Sequence, residues 1–255
     1  CMAIPIAARM TTASIPAAPA AHRLAAGRGA VPRAARLTDR SADDIRLIAV
    51  SKTHDADAIR PLIAAGQRVF GENRVQESQQ KWPALREAQE DIELHLVGQL
   101  QSNKAAEAVA LFDVIHGLDR PSLLTALARA MDGEGRRVPC FIQVNIGAEE
   151  QKGGCPIADT PALIAAARDA DIPILGLMCV PPADVEPAPF FALLAKMARE
   201  EGLERLSMGM SGDYETAIML GATDIRVGTA LFGERPAPAR PVPGSGRGMI
   251  RNSGG

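Results

Sequence analysis

A regular alternation of short apolar runs with longer amphipathic stretches constrains this chain most. Strand-like runs fall at residues 47–50, 68–70, 92–97, 112–116, 138–145, 173–178, 205–207 and 224–227. Amphipathic stretches lie between them near 56–65, 73–90, 103–110, 121–131, 160–170, 187–201 and 213–220. This is the periodicity of βα units and not of hairpins. Several runs are apolar throughout, as expected of parallel strands buried on both faces. Eight strands with helical crossovers predict an α/β fold, a single (β/α)8 TIM barrel slightly below the usual size. A doubly wound open sheet is the alternative, and against it no G-x-G-x-x-G follows the first run. An eighth helix is not evident after Phe232. Either a short helix at the start of the tail or the segment around 20–37 is expected to supply it.

Charge divides the chain into a body and two ends. The 255 residues carry a net charge of −2. Residues 1–38 hold five arginines and no acid, and residues 235–255 hold four arginines and no acid. Without these nine, residues 39–234 have 19 basic against 30 acidic side chains, or −11. The ends also hold eight of the 19 prolines. The expected organisation is a loosely structured extension at 1–38 (with 20–37 a candidate helix), a barrel at 39–235 and a disordered tail at 236–255. An acid-free, Arg-rich N-terminus resembles an organelle presequence, but Pro5, Pro16, Pro19 and Pro32 interrupt the amphipathic helix one requires. A pI near 6 argues against nucleic acid as the main partner. No run reaches the ~20 apolar residues of a membrane span. Cys1, Cys140, Cys155 and Cys179 show no C-x-x-C spacing. They read as reduced thiols of a cytoplasmic protein, and no Cys/His cluster suggests a metal. His22, His54, His95 and His116 are scattered along the sequence.

Barrel active sites gather at the C-terminal ends of the strands. Here those ends are Ser51-Lys52, Gly71-Glu72-Asn73, Gly98-Gln99, His116-Gly117, Asn145, Met178-Cys179, Ser207-Met208-Gly209-Met210-Ser211 and Arg226-Val227-Gly228-Thr229. The chain has five lysines (Lys52, Lys81, Lys104, Lys152, Lys196) against 23 arginines, and only Lys52 directly follows a buried strand. Partial desolvation at a barrel mouth favours the uncharged, nucleophilic form of an amine, suited to attack on an aldehyde. A solvated lysine at a strand end fits the position equally well. After runs seven and eight, Gly228-Thr229 and the segment from Ser207 to Ser211 offer hydroxyls and open backbone N–H groups, the usual place for a barrel phosphate site. Ordinary turn chemistry also explains these glycines. Arg226 adds a permanent cation between the lysine and the cup. An aldehyde-trapping lysine, a phosphate cup and a cation together suggest pyridoxal 5′-phosphate.

The blocks Ala49-Val-Ser-Lys52, Phe70-Gly-Glu-Asn73 with Val75-Gln-Glu77, His95-Leu-Val-Gly-Gln-Leu-Gln101 with Asn103-Lys104, Gly176-Leu-Met178, Leu206-Ser-Met-Gly-Met-Ser211, and Arg226-Val-Gly-Thr229 with Phe232-Gly233 carry a resemblance. In this order and spacing the chain resembles the pyridoxal phosphate homeostasis protein family over residues 45–235. The resemblance implies a single barrel like the alanine racemase N-terminal domain, with pyridoxal 5′-phosphate as cofactor. It implies that Lys52 binds the aldehyde as a Schiff base and that Arg226 faces the pyridine nitrogen. It places Ser207, Gly228 and Thr229, with Ser211, on the phosphate, and Asn73 near the ring. Lys152 matches a family lysine considered a secondary contact, although an exposed loop lysine is the simpler reading. The family usually has Ser where Gly117 stands, so a hydrogen bond at the mouth is expected to loosen. Gly27, Gly29 and Pro32 weaken the family's first helix, each glycine by about 1 kcal/mol relative to Ala.

An arginine at the pyridine nitrogen disfavours ring protonation and so weakens the cofactor as an electron sink. Alanine racemase, as the resemblance implies, compensates with a tyrosine base from a second domain. The only tyrosine here is Tyr214, which fits a partly buried helix residue. The expected function is therefore a non-enzymatic carrier and regulator of pyridoxal phosphate, affecting amino- and keto-acid balance, with apo-enzymes as recipients. A monomer or weak dimer is expected. A pyridoxal phosphate-dependent amino-acid racemase is the first alternative, and a cofactor-independent Schiff-base aldolase the second.

Overall fold

A computed structural model describes residues 19–233, and the structural statements below concern these residues. Eight parallel strands close into a barrel in sequence order. They are β1 (Arg46–Val50), β2 (Val69–Glu72), β3 (Glu93–Leu96), β4 (Val114–Leu118), β5 (Cys140–Val144), β6 (Ile174–Cys179), β7 (Arg205–Met210) and β8 (Asp224–Val227). Closure is by β1, where Ala49 lies opposite Phe70 on one side and Val227 on the other. The expected (β/α)8 barrel is present, and each strand overlaps one of the eight apolar runs.

The crossovers are α2 (Ala56–Ala64), α3 (Val75–Ala88), α4 (Ala105–Leu111), α5 (Pro121–Glu134), α6 (Thr160–Asp169), α7 (Ala188–Glu200) and α8 (Tyr214–Met219), preceded by α1 (Ala20–Arg36) and followed by α9 (Thr229–Phe232). Local chemistry sets their ends. The Asp55 carboxylate accepts the Ala58 N–H at 2.9 Å and caps α2. Pro121 opens α5, and Gly135, at φ 62°, closes it in the left-handed region.

Strand alternation creates two different interiors. Leu47 and Ala49 face outward into the layer between strands and helices, which is apolar and includes Phe70, Trp82, Phe112 and Phe191. Ile48 and Val50 face inward, where they meet Val97. A second small apolar group inside the barrel is Val114, Phe141 and Met178. Polar side chains complete the inside. Arg46 pairs with Glu93, and Arg205 pairs with Asp224, at the N-terminal ends of the strands. His95, His116, Ser207 and Arg226 lie in the interior above them, all buried.

Both candidates for the eighth helix are used. The four-residue α9 follows β8, and α1 packs on α8, α9 and α2. Its buried residues Leu24, Gly27, Val31, Ala34 and Ala35 recur at helical spacing, so one stripe faces the barrel. Gly27 has a packing reason, since a Cβ there would lie 3.1 Å from Leu231 of α9. Arg23 Nε donates to the Leu231 carbonyl at 2.6 Å. A barrel drawn from residue 39 therefore omits a helix that packs on it. Residues 1–18 and the expected tail at 236–255 lie outside the described residues. Cys140, Cys155 and Cys179 are buried free thiols, and burial pushes Cys140 and Cys179 up to about 12. Cys1 lies outside the described residues. No described helix is long and apolar enough to cross a membrane.

Leu24 is 2% exposed at the centre of the α1 stripe. Leu24→Ala should lower stability by about 2–4 kcal/mol through a cavity that the barrel wall cannot fill, measurable by equilibrium urea unfolding. Loss of less than 0.5 kcal/mol, within the range of surface substitutions, would mean that α1 is not part of the cooperative fold.

Candidate functional site

The turn after β1 carries Lys52, and it is fastened from beneath. Thr53 adopts φ 66°, which is unusual for a β-branched residue and costs on the order of 1–3 kcal/mol. The Thr53 N–H donates to Glu77 Oε1 at 2.7 Å. Lys81 Nζ donates to the carbonyls of Ser51 (3.0 Å) and His54 (2.9 Å) and pairs with Glu77 and Glu72 at 2.9 Å each. Glu72 is fully buried, and its Oε1 also accepts from Ser51 Oγ at 2.5 Å and Trp82 Nε1 at 3.0 Å. Burial pushes its carboxyl up, against the pull of Ser51 and Lys81. The His54 ring stacks on Phe232 of α9 at 4.5 Å, joining the Lys52 turn to the segment after the neighbouring strand β8.

Lys52 itself is half-buried. Lys81, Lys104, Lys152 and Lys196 each sit within 3 Å of a carboxylate oxygen. Among the described residues Lys52 alone of the lysines has no such partner. It also continues the inward series of β1 at a spacing of two, Arg46, Ile48, Val50.

Arg226 lies on β8 at 5% exposure. Its Nη1 donates to Ser207 Oγ at 2.6 Å and its Nη2 to the Cys179 carbonyl at 2.8 Å. Two of five N–H donors are thus engaged. No carboxylate pairs with it among the described residues, and burial pulls its pKa down. Ser207, expected on the phosphate, is 0% exposed, four residues before Ser211, and its hydroxyl lies between Arg226 and His116 Nδ1 (2.8 Å). Its role here is to support the arginine.

The strand ends of β7 and β8 do meet. The Gly228 N–H approaches Ser211 Oγ at 3.4 Å, and Gly228 leads directly into α9, whose first residue is Thr229. The first N–H groups of that turn have no partner inside the helix. Gly209, at φ 92°, permits this arrangement, since a Cβ there would lie 2.6 Å from Ala217 of α8. Ser211, Gly228 and Thr229 therefore form one cluster, as expected.

Asn73 follows β2 with its backbone against Gly98, where a Cβ would come within 2.3 Å of the Asn73 carbonyl. It lines a cavity of about 570 Å³ with Arg74, Gln76, Gln99, Gln101 and Lys104. Lys152 lies in the loop after β5, donates to the Pro181 carbonyl at 3.2 Å and pairs with Glu149. A side chain at Gly117 would meet the Gly98 carbonyl at 2.7 Å, so glycine lets β4 approach the end of β3. Tyr214 is half-buried in the outer layer, and burial raises its hydroxyl pKa. Sequence reasoning missed Lys81, treated as an ordinary helix residue, and the pair His95 and His116. These two histidines are 2.9 Å apart inside the barrel.

Comparison with known proteins agrees with this geometry. The family described as alanine racemase, N-terminal domain, matches residues 31–236. The pyridoxal phosphate homeostasis protein of Escherichia coli is 40% identical over 230 residues, covering 84% of this chain and 96% of that protein. The protein of the same name from Aquifex aeolicus is 36% identical over 215 residues, covering 80% and 93%. The structure of PipY from Synechococcus elongatus with pyridoxal phosphate bound superposes with a TM-score of 0.75 at 40% identity, covering 84% of this chain and all of that one.

Lys81→Met should leave the buried Glu72 without its cation and cost about 3–5 kcal/mol in urea unfolding. A loss under 1 kcal/mol would show that the clamp is not what holds the Lys52 turn. A second expectation concerns pH. His116 is fully buried beside Arg226, Arg205 and Arg46, and burial, with these cations and His95, holds its pKa well below 6.5. The unfolded chain then binds the proton that the folded chain refuses, so stability falls as pH drops below 6.5, by up to about 1.4 kcal/mol per pH unit. His116→Gln should flatten this slope between about pH 6.5 and 5. Glu93, held at about 2, gives up its own contribution only below about 4.5. Glu72, raised, acts with the opposite sign in both proteins, so it cancels in the comparison. Parallel slopes for the two proteins would contradict the assignment.

Proposed function

The chain belongs to the pyridoxal phosphate homeostasis protein family, and we propose that it binds pyridoxal 5′-phosphate reversibly at the mouth of its barrel, as a carrier and regulator rather than an enzyme. The observation that carries this reading is Lys52, the one described lysine without a carboxylate partner, placed at a mouth that also holds a buried arginine with donors to spare. Bound there, the group supplies an aldehyde that a primary amine can hold as a reversible Schiff base. Lys52 is that amine. The fastened Ser51–His54 turn restricts where its Cα can move. Ser211, Gly228 and Thr229 hold the phosphate through a hydroxyl and backbone N–H groups. Arg226 donates to the ring nitrogen, and Asn73 borders the ring from the β2 side. Ser207 acts behind Arg226.

The same residues support a carrier over a racemase. A guanidinium that only donates keeps the ring nitrogen unprotonated, which weakens carbanion stabilisation. Racemisation also needs a base on the face opposite the lysine, and the chain's single tyrosine packs in the outer helical layer. The carrier would deliver the cofactor to apo-enzymes in the cytoplasm and limit the free aldehyde, acting as a monomer or weak dimer.

Purified protein supplied with pyridoxal 5′-phosphate should gain a visible absorption band, and borohydride reduction should fix the mass increment on Lys52. Lys52→Ala should lose both. A band retained in Lys52→Ala would reject the assignment. Incubation with L-amino acids in deuterated water should show no exchange at Cα on the enzymatic scale, and turnover near 1 s⁻¹ or above would favour the racemase.

A further inference from the structure

Five hydrogen bonds join the mouth to the opposite end of the barrel. Arg226 Nη1 reaches Ser207 Oγ at 2.6 Å, and Ser207 Oγ reaches His116 Nδ1 at 2.8 Å. His116 Nε2 lies 2.9 Å from His95 Nδ1, and His95 Nε2 lies 2.8 Å from Glu93 Oε1. Glu93 closes the series on Arg46. Ser207, His116 and His95 are wholly inaccessible to solvent, while Glu93 and Arg46 reach the N-terminal face with about a third of each side chain exposed.

The two ends constrain the direction of the bonds between them. A guanidinium can only donate, and an ionised carboxylate can only accept. Glu93 is ionised, because His95 and Arg46 hold its carboxyl at about 2. His95 Nε2 must therefore carry a proton, and in the tautomer with that one proton His95 Nδ1 is an acceptor. His116 must then donate from Nε2, and its Nδ1 accepts the Ser207 hydroxyl proton. The Ser207 lone pairs are left to face Arg226. In this arrangement each histidine holds one tautomer, and no donor or acceptor along the series is wasted. The groups facing His116 favour this state. Phe141 stacks on it at 4.4 Å, and Arg205 and Arg226 disfavour a further positive charge.

We propose that His95 and His116 are positioning residues for the cofactor: they carry the polarity set by Glu93 through Ser207 and so fix the orientation in which Arg226 meets the ring nitrogen. This rests on the preceding assignment of Arg226 to that nitrogen. It assigns a role in ligand binding to a carboxylate at the far end of the barrel, which a purely local account of the mouth does not.

Glu93→Gln tests it. The amide matches the carboxylate in size but can donate to His95 Nε2. Both histidines can then switch tautomer together, and Ser207 loses its acceptor. Full-length protein is loaded with pyridoxal 5′-phosphate labelled with 15N at the ring nitrogen. The label's NMR resonance is recorded, and the rate of release is followed by dilution. The wild type should show a hydrogen-bonded, unprotonated nitrogen. Glu93→Gln should move that resonance and speed release about 3–10-fold, the effect of weakening one hydrogen bond. Ser207→Ala should do the same, and Glu93→Gln should add nothing on top of it, since the series is already cut. A folded Glu93→Gln with the wild-type resonance and release rate would overturn the proposal, as would full additivity in the double variant. If Glu93→Gln does not fold, an unchanged resonance in Ser207→Ala alone decides against it. Failure of the wild type to retain the label, or a protonated ring nitrogen in it, would instead overturn the binding reading and this inference with it.

Discussion

A guanidinium inside a barrel, 5% exposed and paired with no carboxylate among the described residues, is the constraint on which the site depends. Burial of an unpaired charge costs several kcal/mol, so its neighbours must supply dipoles that replace water. Here those are the Cys179 carbonyl and the Ser207 hydroxyl, the latter supported by two histidines and a carboxylate. An apolar interior of the usual Val, Ile and Leu layers would exclude Arg226 altogether. The polar column is therefore the reason that one strand can offer a charged, rigid donor at the mouth. The four-membered ionic layer of Arg46, Glu93, Arg205 and Asp224 closes the column at the other end.

The lysine side follows a different logic. Arg226 is held rigid by burial, whereas Lys52 sits in a loop and is held through its backbone. Lys81 grips the carbonyls of Ser51 and His54, and Glu77 takes the Thr53 N–H. These contacts offset the left-handed Thr53 and leave the Lys52 amine without a carboxylate partner among the described residues. Rigid backbone with a free amine is what reversible capture of an aldehyde requires, since a side chain already paired would have to break a bond first.

Much of this was legible from the sequence. Continuous apolar runs located the eight strands, because parallel strands buried on both faces leave a strong signal in composition. The rule that barrel chemistry lies at strand C-termini singled out Lys52, Ser211, Arg226, Gly228 and Thr229. The support that Ser207 gives Arg226 was not legible, because a hydroxyl within a Gly/Met-rich segment looks like loop chemistry, whereas β7 extends to Met210 and buries it. Strand alternation held the missing clue. Ser207 and Arg205 share one parity on β7, and Glu93, His95 and Val97 share one on β3, so polar residues at spacing two mark an inward face. His95 and His116 looked scattered because 21 residues separate them, and only the pairing of β3 with β4 brings the rings together. Lys81 was unreadable in the same way, since two of its four acceptors are main-chain carbonyls, which have no sequence signature. The glycines of α1 were read as weakness, but Gly27 is a contact made possible by the missing side chain.

That contact also gives the N-terminal helix a place in the site. Gly27 admits Leu231, and Arg23 holds the Leu231 carbonyl, so α1 fixes α9 by both packing and a hydrogen bond. The helix α9 begins at Thr229 in the phosphate cluster and ends at Phe232 on the His54 ring. The short helix thus connects three things: the cup, the Lys52 turn and the α1 stripe. Four residues have too few internal hydrogen bonds to persist alone. Their geometry must come from these outside contacts, and α1 supplies the largest of them. The segment before the first strand therefore does more than complete the helical ring, because it sets the position of the backbone proposed to meet the phosphate.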